Sequence, residues 1–471
     1  MIQPKDIFQH PATLLGAVLL GGWVGTLFPE SAPGLAAVST LYLSLIQMAS
    51  LPFVVLAVFF GLQRLPTLPG AGRRLLMLVV MSVIAMLLCA MVGVLVASIT
   101  SAGAGMSSTQ TAALGELAMR SDSQFVMALR GVEGATPSLW DVTALVPNNL
   151  FAVLAYGSVP SVLIGVLLFG YAIAVQDPVA SSHLSGIFEG IYRALESLVT
   201  RFNALLPAAS FVLAAAATSA AGVESIVLLG SFLGAFFAAT LIVSALSIGA
   251  ICWRLQKSPW EVLTALRDPI TVCLFSPVAV AAVPGFIHGM SAQLGFSRAL
   301  VELFTPIAPV FIKAGEALFF AVLAIFIANL YDHALSLGDV ALICLLSWAA
   351  ALWSVGIVGV KSVILGTFVM TSLGLPLEAV LPVFLLVEVL CEGPRNLLSF
   401  LVSSALIALV SDGLYINSTE QVTEAWQPST VRLRFTRKQA LAGSSLLALA
   451  LLTVFCAGVG FGLRKAIVAV I

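Results

Sequence analysis

The sequence predicts an all-α polytopic membrane protein. Three observations carry that prediction: a composition of 60% apolar and 9% charged residues, a succession of long apolar runs, and paired interrupted apolar segments in the second half. Soluble domains hold ~45–50% apolar and ~25% charged residues. With so few polar groups, this 471-residue chain cannot clothe a water-facing surface, so the bilayer is its solvent. The formal net charge of −1 leaves no basic footprint for nucleic acid. The six cysteines form no C-x-x-C pair, and the four histidines show no H-E-x-x-H spacing. No Walker loop and no G-x-S-x-G elbow is present, so ATP-driven pumping and serine hydrolysis lack a motif. The chain is expected not to be an enzyme and to carry no cofactor or metal.

A membrane-spanning helix needs ~20 mostly apolar residues. Runs that meet this lie at 11–28, 41–63, 75–99, 147–176, 197–221 and 224–253. The first is read as a span rather than a cleaved leader, since no convincing cleavage site precedes the next run. Positive charge falls in alternate loops: Arg64, Arg73 and Arg74, then Arg193 and Arg201, then Arg254, Lys257 and Arg267. That alternation places the N-terminus inside. The polar stretch 100–146, rich in Ser, Thr, Gly and Ala, is expected to face outward.

Beyond residue 255 the pattern changes. Segment 268–290 is broken by Pro277 and Pro284, and segment 299–330 carries Pro306, Pro309, Lys313, Gly315 and Glu316. Segment 340–374 is broken by Gly356, Gly359, Lys361 and Gly374, and segment 378–411 carries Glu388, Glu392, Gly393, Pro394 and Arg395. A broken apolar segment followed by a charged one thus occurs twice. Such pairing marks the binding site of a secondary transporter, because irregular backbone survives at membrane depth only against protein or a water-filled cavity. A last apolar run, 439–463, follows a polar linker at 413–438 and is read as an added span.

Glu388, Glu392 and Arg395 are spaced by four and three, so a helix presents them on one face. Each charge at a helix centre costs roughly 2.5–3.5 kcal/mol on insertion scales, which turns all three away from lipid. A structural salt bridge and a solute or ion site are both open readings. Pro394 removes a backbone donor, and Gly393-Pro394 is expected to interrupt the helix. Lys313 and Glu316, three apart, form either a local ion pair or part of a substrate or proton site. Lys361 is assigned to a hairpin tip or an interface. His288, His333 and Asp332 are assigned to membrane ends and loops.

These residues resemble the dicarboxylate/amino acid:cation symporter family, which includes the glutamate transporters. The resemblance covers about residues 8–412. Leu45-Ile-Gln-Met-Ala-Ser-Leu-Pro-Phe-Val is similar to the family's second-helix L-I-K-M-x-x-x-P-L-V, with Gln47 at the lysine. Phe326-Ile-Ala-Asn329 matches F-I-A-N, Ser372-Leu-Gly-Leu-Pro376 matches the stretch before the last core helix, and Arg395 falls on the arginine of D-x-x-x-D-x-x-R. Other motifs differ. The serine-rich first hairpin tip is Pro277-Val-Ala-Val-Ala-Ala-Val-Pro284 here, and N-M-D-G-T is Ile312-Lys-Ala-Gly-Glu316. Glu388 and Glu392 replace two aspartates, while Ser399 and Ser403 stand where the family has the Asn and Asp that help bind sodium.

The resemblance implies a glutamate-transporter-like fold: eight transmembrane helices and two re-entrant hairpins in a core spanning 1–412, with the substrate region at about 258–411. It implies a homotrimer that moves its transport unit like an elevator, in the cell membrane (the inner membrane if the source is Gram-negative). The expected cargo is a small anionic or zwitterionic, carboxylate-bearing solute, an amino acid or a dicarboxylate. Arg395 is expected to grip its carboxylate, Glu392 to face a substrate ammonium, and Lys313 with Glu316 to supply charge where relatives recruit a cation. Because side-chain oxygens are missing at 312 and 314, the coupling cation is expected to be a proton rather than sodium, with Glu388 the carrier. The competing readings are a transport-degenerate relative acting as a sensor or accessory subunit, an anion channel and a membrane enzyme.

Overall fold

The computed structural model describes residues 11–28, 32–64, 70–105, 159–174, 178–221, 229–276, 278–333, 335–354, 361–374 and 381–411. The expected linker at 413–438 and added span at 439–463 lie outside these residues, as does most of the polar stretch 100–146.

Fourteen helices are described. In chain order they are α1 (Pro11–Leu27), α2 (Ala32–Arg64), α3 (Ala71–Ile99), α4 (Val159–Ala174), α5 (Pro178–Asn203), α6 (Leu206–Ala221), α7 (Gly230–Leu255), α8 (Pro259–Phe275), α9 (Val283–His288), α10 (Arg298–Phe311), α11 (Ala314–Leu330), α12 (Leu337–Trp353), α13 (Lys361–Ser372) and α14 (Leu381–Val410). Among the described residues, four helices are long and apolar enough to cross a bilayer, or five if α5 and α6 form one bent span. With no water in hydrocarbon to satisfy backbone groups, a helical solution is forced. The protein is a multi-pass membrane protein.

The helices pack in two groups. In the first, α1 lies along α6, and α2 packs on α4, α5 and α6. In the second, α11 is central: it packs on α3, α7, α12 and α14, and all of its residues from Ala314 to Ala328 are buried. The groups meet along a seam where α10 lies on α2, and the tip of the α8–α9 hairpin lies between α2 and α5. Gly61 of α2 makes that approach close, since a side chain there would overlap the Leu303 backbone of α10.

The first interrupted segment forms as expected; the break of the second, at 355–360, lies outside the described residues. In the first, Ser258 caps α8 and Pro259 occupies its first turn, where a missing N–H costs nothing. The chain leaves α8 at Ser276, makes a 3-10 turn over Ala279–Ala282 and re-enters as α9. In the second, Ser336 and Asp339 form a reciprocal capping box that starts α12, and α13 follows.

Two expectations are corrected. The run 197–221 is not one straight span: α5 ends at Asn203, α6 starts at Leu206, and the two are bent by 55°. Pro207, in the first turn of α6, cannot continue the hydrogen bonding of α5. Conversely, Gly393-Pro394 does not interrupt its helix, because α14 runs unbroken from Leu381 to Val410 with Pro394 inside it. Membrane helices tolerate proline where neighbouring helices re-satisfy the freed backbone, and this stretch is tightly surrounded.

The F-I-A-N stretch has a structural role. Asn329 donates from Nδ2 to the Ala102 carbonyl (2.8 Å), pinning the turn after α3 to the end of α11. Arg74, at the start of α3, donates to the Val410 carbonyl at the C-terminus of α14 (2.6 Å). A cation there complements the negative end of the helix dipole.

Candidate functional site

The chain breaks between α10 and α11 at Ile312 and Lys313. Two glycines then bring backbones together around that break. A side chain on Gly315 would overlap the backbone of Arg395, so the start of α11 presses directly on α14. A side chain on Gly393 would overlap the Leu274 carbonyl, so the end of α8 presses on α14 one turn away. The first hairpin, the α10–α11 break and the middle of α14 therefore converge on the segment around Arg395.

Arg395 is 1% exposed and is among the largest fully buried side chains. Its Nη1 donates to Oε2 of Glu316 at 2.8 Å. Its guanidinium carbon lies 4.5 Å from the centre of the Phe319 ring. Glu316 and Phe319 are three apart on α11, so they share a face. That face presents a carboxylate to one side of the guanidinium and a π-surface to another. Both offset part of the cost of burying a cation, which is high without such partners. Glu316 also stands in the first turn of α11, where the helix dipole favours negative charge.

Of the expected site residues, Arg395 and Glu316 are brought together. Glu316 reaches across to α14, a partner 79 residues away that spacing along its own helix does not supply. Glu392 lies one turn before Arg395 on α14 and is partly buried. Lys313 immediately precedes α11 at the break and is partly buried. Glu388 and Lys361 lie on α14 and at the start of α13, with side chains outside the described residues.

The positions where the resemblance implies sodium ligands look different. Ile312 and Ala314 are apolar and buried. The hydroxyls of Ser399 and Ser403 turn back on their own helix, donating to the Arg395 carbonyl (3.2 Å) and the Phe400 carbonyl (2.7 Å).

Sequence reasoning passed over three residues. Phe319 is hidden in an apolar run, and its signal was the three-residue step from Glu316. Glu302 of α10 is 1% exposed and bonded to Arg298 at 2.5 Å; the four-residue spacing was its signal. This pair borders a cavity of about 240 Å³ between α2, α5 and α10, which Phe60, Tyr192 and Glu196 also line. Asn203 of α5 donates to the Ala281 carbonyl at the tip of the first hairpin (3.1 Å); nothing in the sequence pairs those two positions.

Comparison with known proteins bears on what this site does. The sequence profile of the sodium:dicarboxylate symporter family matches residues 11–413. The C4-dicarboxylate transport protein of Rhizobium johnstonii is 24% identical over 368 residues, which cover 75% of this chain and 78% of the relative. C4-dicarboxylate transport protein 1 of Mesorhizobium japonicum is 23% identical over 411 residues, 86% of this chain and 83% of the relative. The C4-dicarboxylate transport protein of Solibacter usitatus is 26% identical over 357 residues, 72% and 78% of the two chains.

Proposed function

The chain belongs to the sodium:dicarboxylate symporter family, and from that premise we propose that it is a secondary active transporter that carries a small dicarboxylate together with protons. The observation that carries this reading is the buried pair of Arg395 and Glu316 where the first hairpin, the α10–α11 break and α14 meet. The relatives named as C4-dicarboxylate transport proteins make a dicarboxylate the first cargo to test; an amino acid is the second, through Glu392.

Glu316 acts in this proposal as a resident carboxylate that holds the place of the solute's. A planar guanidinium matches a carboxylate well, whether from a side chain or a solute. When the solute takes Arg395, Glu316 loses that cation at a buried position. A stranded buried carboxylate is neutralised by taking a proton. Solute entry then brings proton entry with it, and release reverses both. Glu388, seven residues before Arg395 in the sequence, is the second proton carrier in this scheme. Sodium is not required, because positions 312 and 314 offer it no side-chain oxygen. The same reading takes the family's elevator movement and homotrimer, with the seam between the two helix groups as the sliding surface.

The test is uptake of radiolabelled succinate by proteoliposomes in sodium-free buffer, with and without an inward proton gradient. Concentrative uptake that follows the gradient is expected. Uptake that needs sodium and ignores the gradient sinks the proton reading. No concentrative uptake of succinate, other dicarboxylates or amino acids sinks the transport reading.

A further inference from the structure

Asn203 ends α5 at the bend before α6 and is 7% exposed. An asparagine at a helix end commonly serves its own helix. Here the side-chain bond goes elsewhere: Nδ2 donates at 3.1 Å to the carbonyl of Ala281, 78 residues on. The carbonyl can only accept, which fixes which end of the amide faces it. The Oδ1 end is buried without a hydrogen-bond partner. A buried amide half-satisfied in this way is destabilising beside an aliphatic side chain of the same size. Packing therefore does not account for an asparagine at this position.

The bond crosses the seam. Ala281 lies in the 3-10 turn Ala279–Ala282 at the tip of the first hairpin, where Ala281 and Ala282 are 1% and 0% exposed. One end of this tip leaves α8 at Ser276, just beyond the Leu274 carbonyl that seats on Gly393 of α14. Tyr42 of α2 approaches Ser276 there. The tip thus touches the first helix group through Asn203 and leads within a few residues to the site at Arg395. The 3-10 turn holds the tip by weak local bonding, Ala281 N–H to the Val278 carbonyl at 3.0 Å, a geometry poorer than that of an α-helix. A segment so held takes its position from what it packs against.

We propose that Asn203 is a positioning residue, whose amide holds the tip of the first hairpin against the α5–α6 bend and whose release is the local step by which the tip leaves its seat. The functional meaning rests on the transport reading above, in which the tip is one wall of the solute site; the bond's effect on the tip does not. One hydrogen bond of ordinary net worth, lost, opens such a segment roughly two- to tenfold more often.

Hydrogen exchange followed by mass spectrometry on the full-length protein in nanodiscs tests this. Asn203→Asp keeps the shape and loses the donor; Asn203→Leu loses both polar atoms; Asn203→Gln keeps a donor amide. Amides 278–283 are expected to exchange about two- to tenfold faster in the Asp and Leu variants. Gln is expected to return part of the protection, and 314–330 to stay at the wild-type rate. Wild-type protection of the tip in both the Asp and Leu variants overturns the proposal. Equal acceleration at 314–330 also overturns it, because a general loosening is then the cause. If the Leu variant does not fold, the isosteric Asp variant carries the comparison. Succinate uptake is measured alongside: a changed KM in the Asp variant that Gln moves back supports the role at the site. If the wild type takes up no succinate, no other dicarboxylate and no amino acid, the transport reading falls, and the exchange result still decides the role of Asn203.

Discussion

Two of the arginine–glutamate pairs among the described residues share a buried glutamate and differ in their arginine. In both, the glutamate is buried: the side chains of Glu316 and Glu302 are 5% and 1% exposed. Arg395 is buried as well, at 1%, whereas Arg298 is 54% exposed. The first pair joins two helices that the chain visits 79 residues apart; the second lies within one turn of α10. The second guanidinium is half-exposed, while both members of the first pair are buried. A fully buried ion pair is weak support for stability, since its desolvation offsets much of its attraction. The proposed exchange of partners is one account of why such a pair sits on an aromatic ring at the meeting of three elements. Arg298–Glu302 is the internal control: the same two groups, with the arginine half-exposed, beside a cavity away from Arg395.

The largest effect is expected at Arg395. Arg395→Lys keeps a cation and loses the planar fork. Charge-assisted hydrogen bonds are worth ~1.5–3 kcal/mol, so KM for succinate is expected to rise roughly ten- to a hundredfold. An unchanged KM, measured in proteoliposomes, would remove Arg395 from the solute site. Arg395→Leu strands the Glu316 carboxylate instead, and breaking a buried pair in this way costs ~3–5 kcal/mol. Its melting temperature is expected to fall well below that of any variant of the second pair.

Next in size is the proton response. Glu316→Gln is expected to bind succinate and lose the dependence of uptake on an inward proton gradient. The amide fills the carboxyl's place and has no proton to exchange. Glu388→Gln is the parallel variant on α14. Whichever variant stops responding to the gradient identifies the carrier, and a full response from both rejects these two carboxylates.

The two pairs also show what the sequence made legible. The first hairpin was readable because its break is written in local chemistry, in Pro277 and Pro284. Arg395 and Glu316 are both buried, and that they turn away from lipid was readable from the cost of charge in an apolar run. Their pairing was not, because it depends on how α11 and α14 meet, and that meeting rests on Gly315 having no side chain. The expected break at Gly393-Pro394 failed for a related reason: proline forbids one backbone bond, but whether a membrane helix then breaks is decided by its neighbours. Gly393 lets the end of α8 close in on that turn. The bend after Asn203 did have a local sign in Pro207. Glu302 had one in Arg298 four residues earlier, overlooked beside the denser charges further along the chain.

A smaller effect is expected from the second pair. Arg298→Gln keeps an amide donor beside Glu302, and Arg298 is already 54% exposed, so the loss should sit nearer that of a surface pair, ~0.2–1 kcal/mol, than that of Arg395→Leu. KM for succinate and the response to a proton gradient are expected to stay at wild-type values. A KM shift like that of Arg395→Lys would show that the two pairs belong to one site and dissolve the contrast between them.

The smallest effect is expected at the start of α12, where another carboxylate has its partner in local sequence. The Ser336 hydroxyl accepts from the Asp339 N–H at 3.2 Å, and the Asp339 carboxylate accepts from the Ser336 N–H at 2.9 Å and from its hydroxyl at 2.8 Å. All three bonds are exposed, so water replaces them readily. Ser336→Ala removes the two that use the hydroxyl and leaves Asp339 charged and hydrated. N-cap replacements of this kind cost about 1 kcal/mol, and a small drop in melting temperature is expected. Uptake should be untouched, in KM and in its response to the proton gradient, because an exposed carboxylate that loses a partner has water to turn to. Glu316 is buried, and the proposal that it carries a proton rests on that difference. If Ser336→Ala shifted the proton response as much as Glu316→Gln, burial would not be the property that selects the carrier, and the distinction drawn between the buried and the watered pair would fail with it.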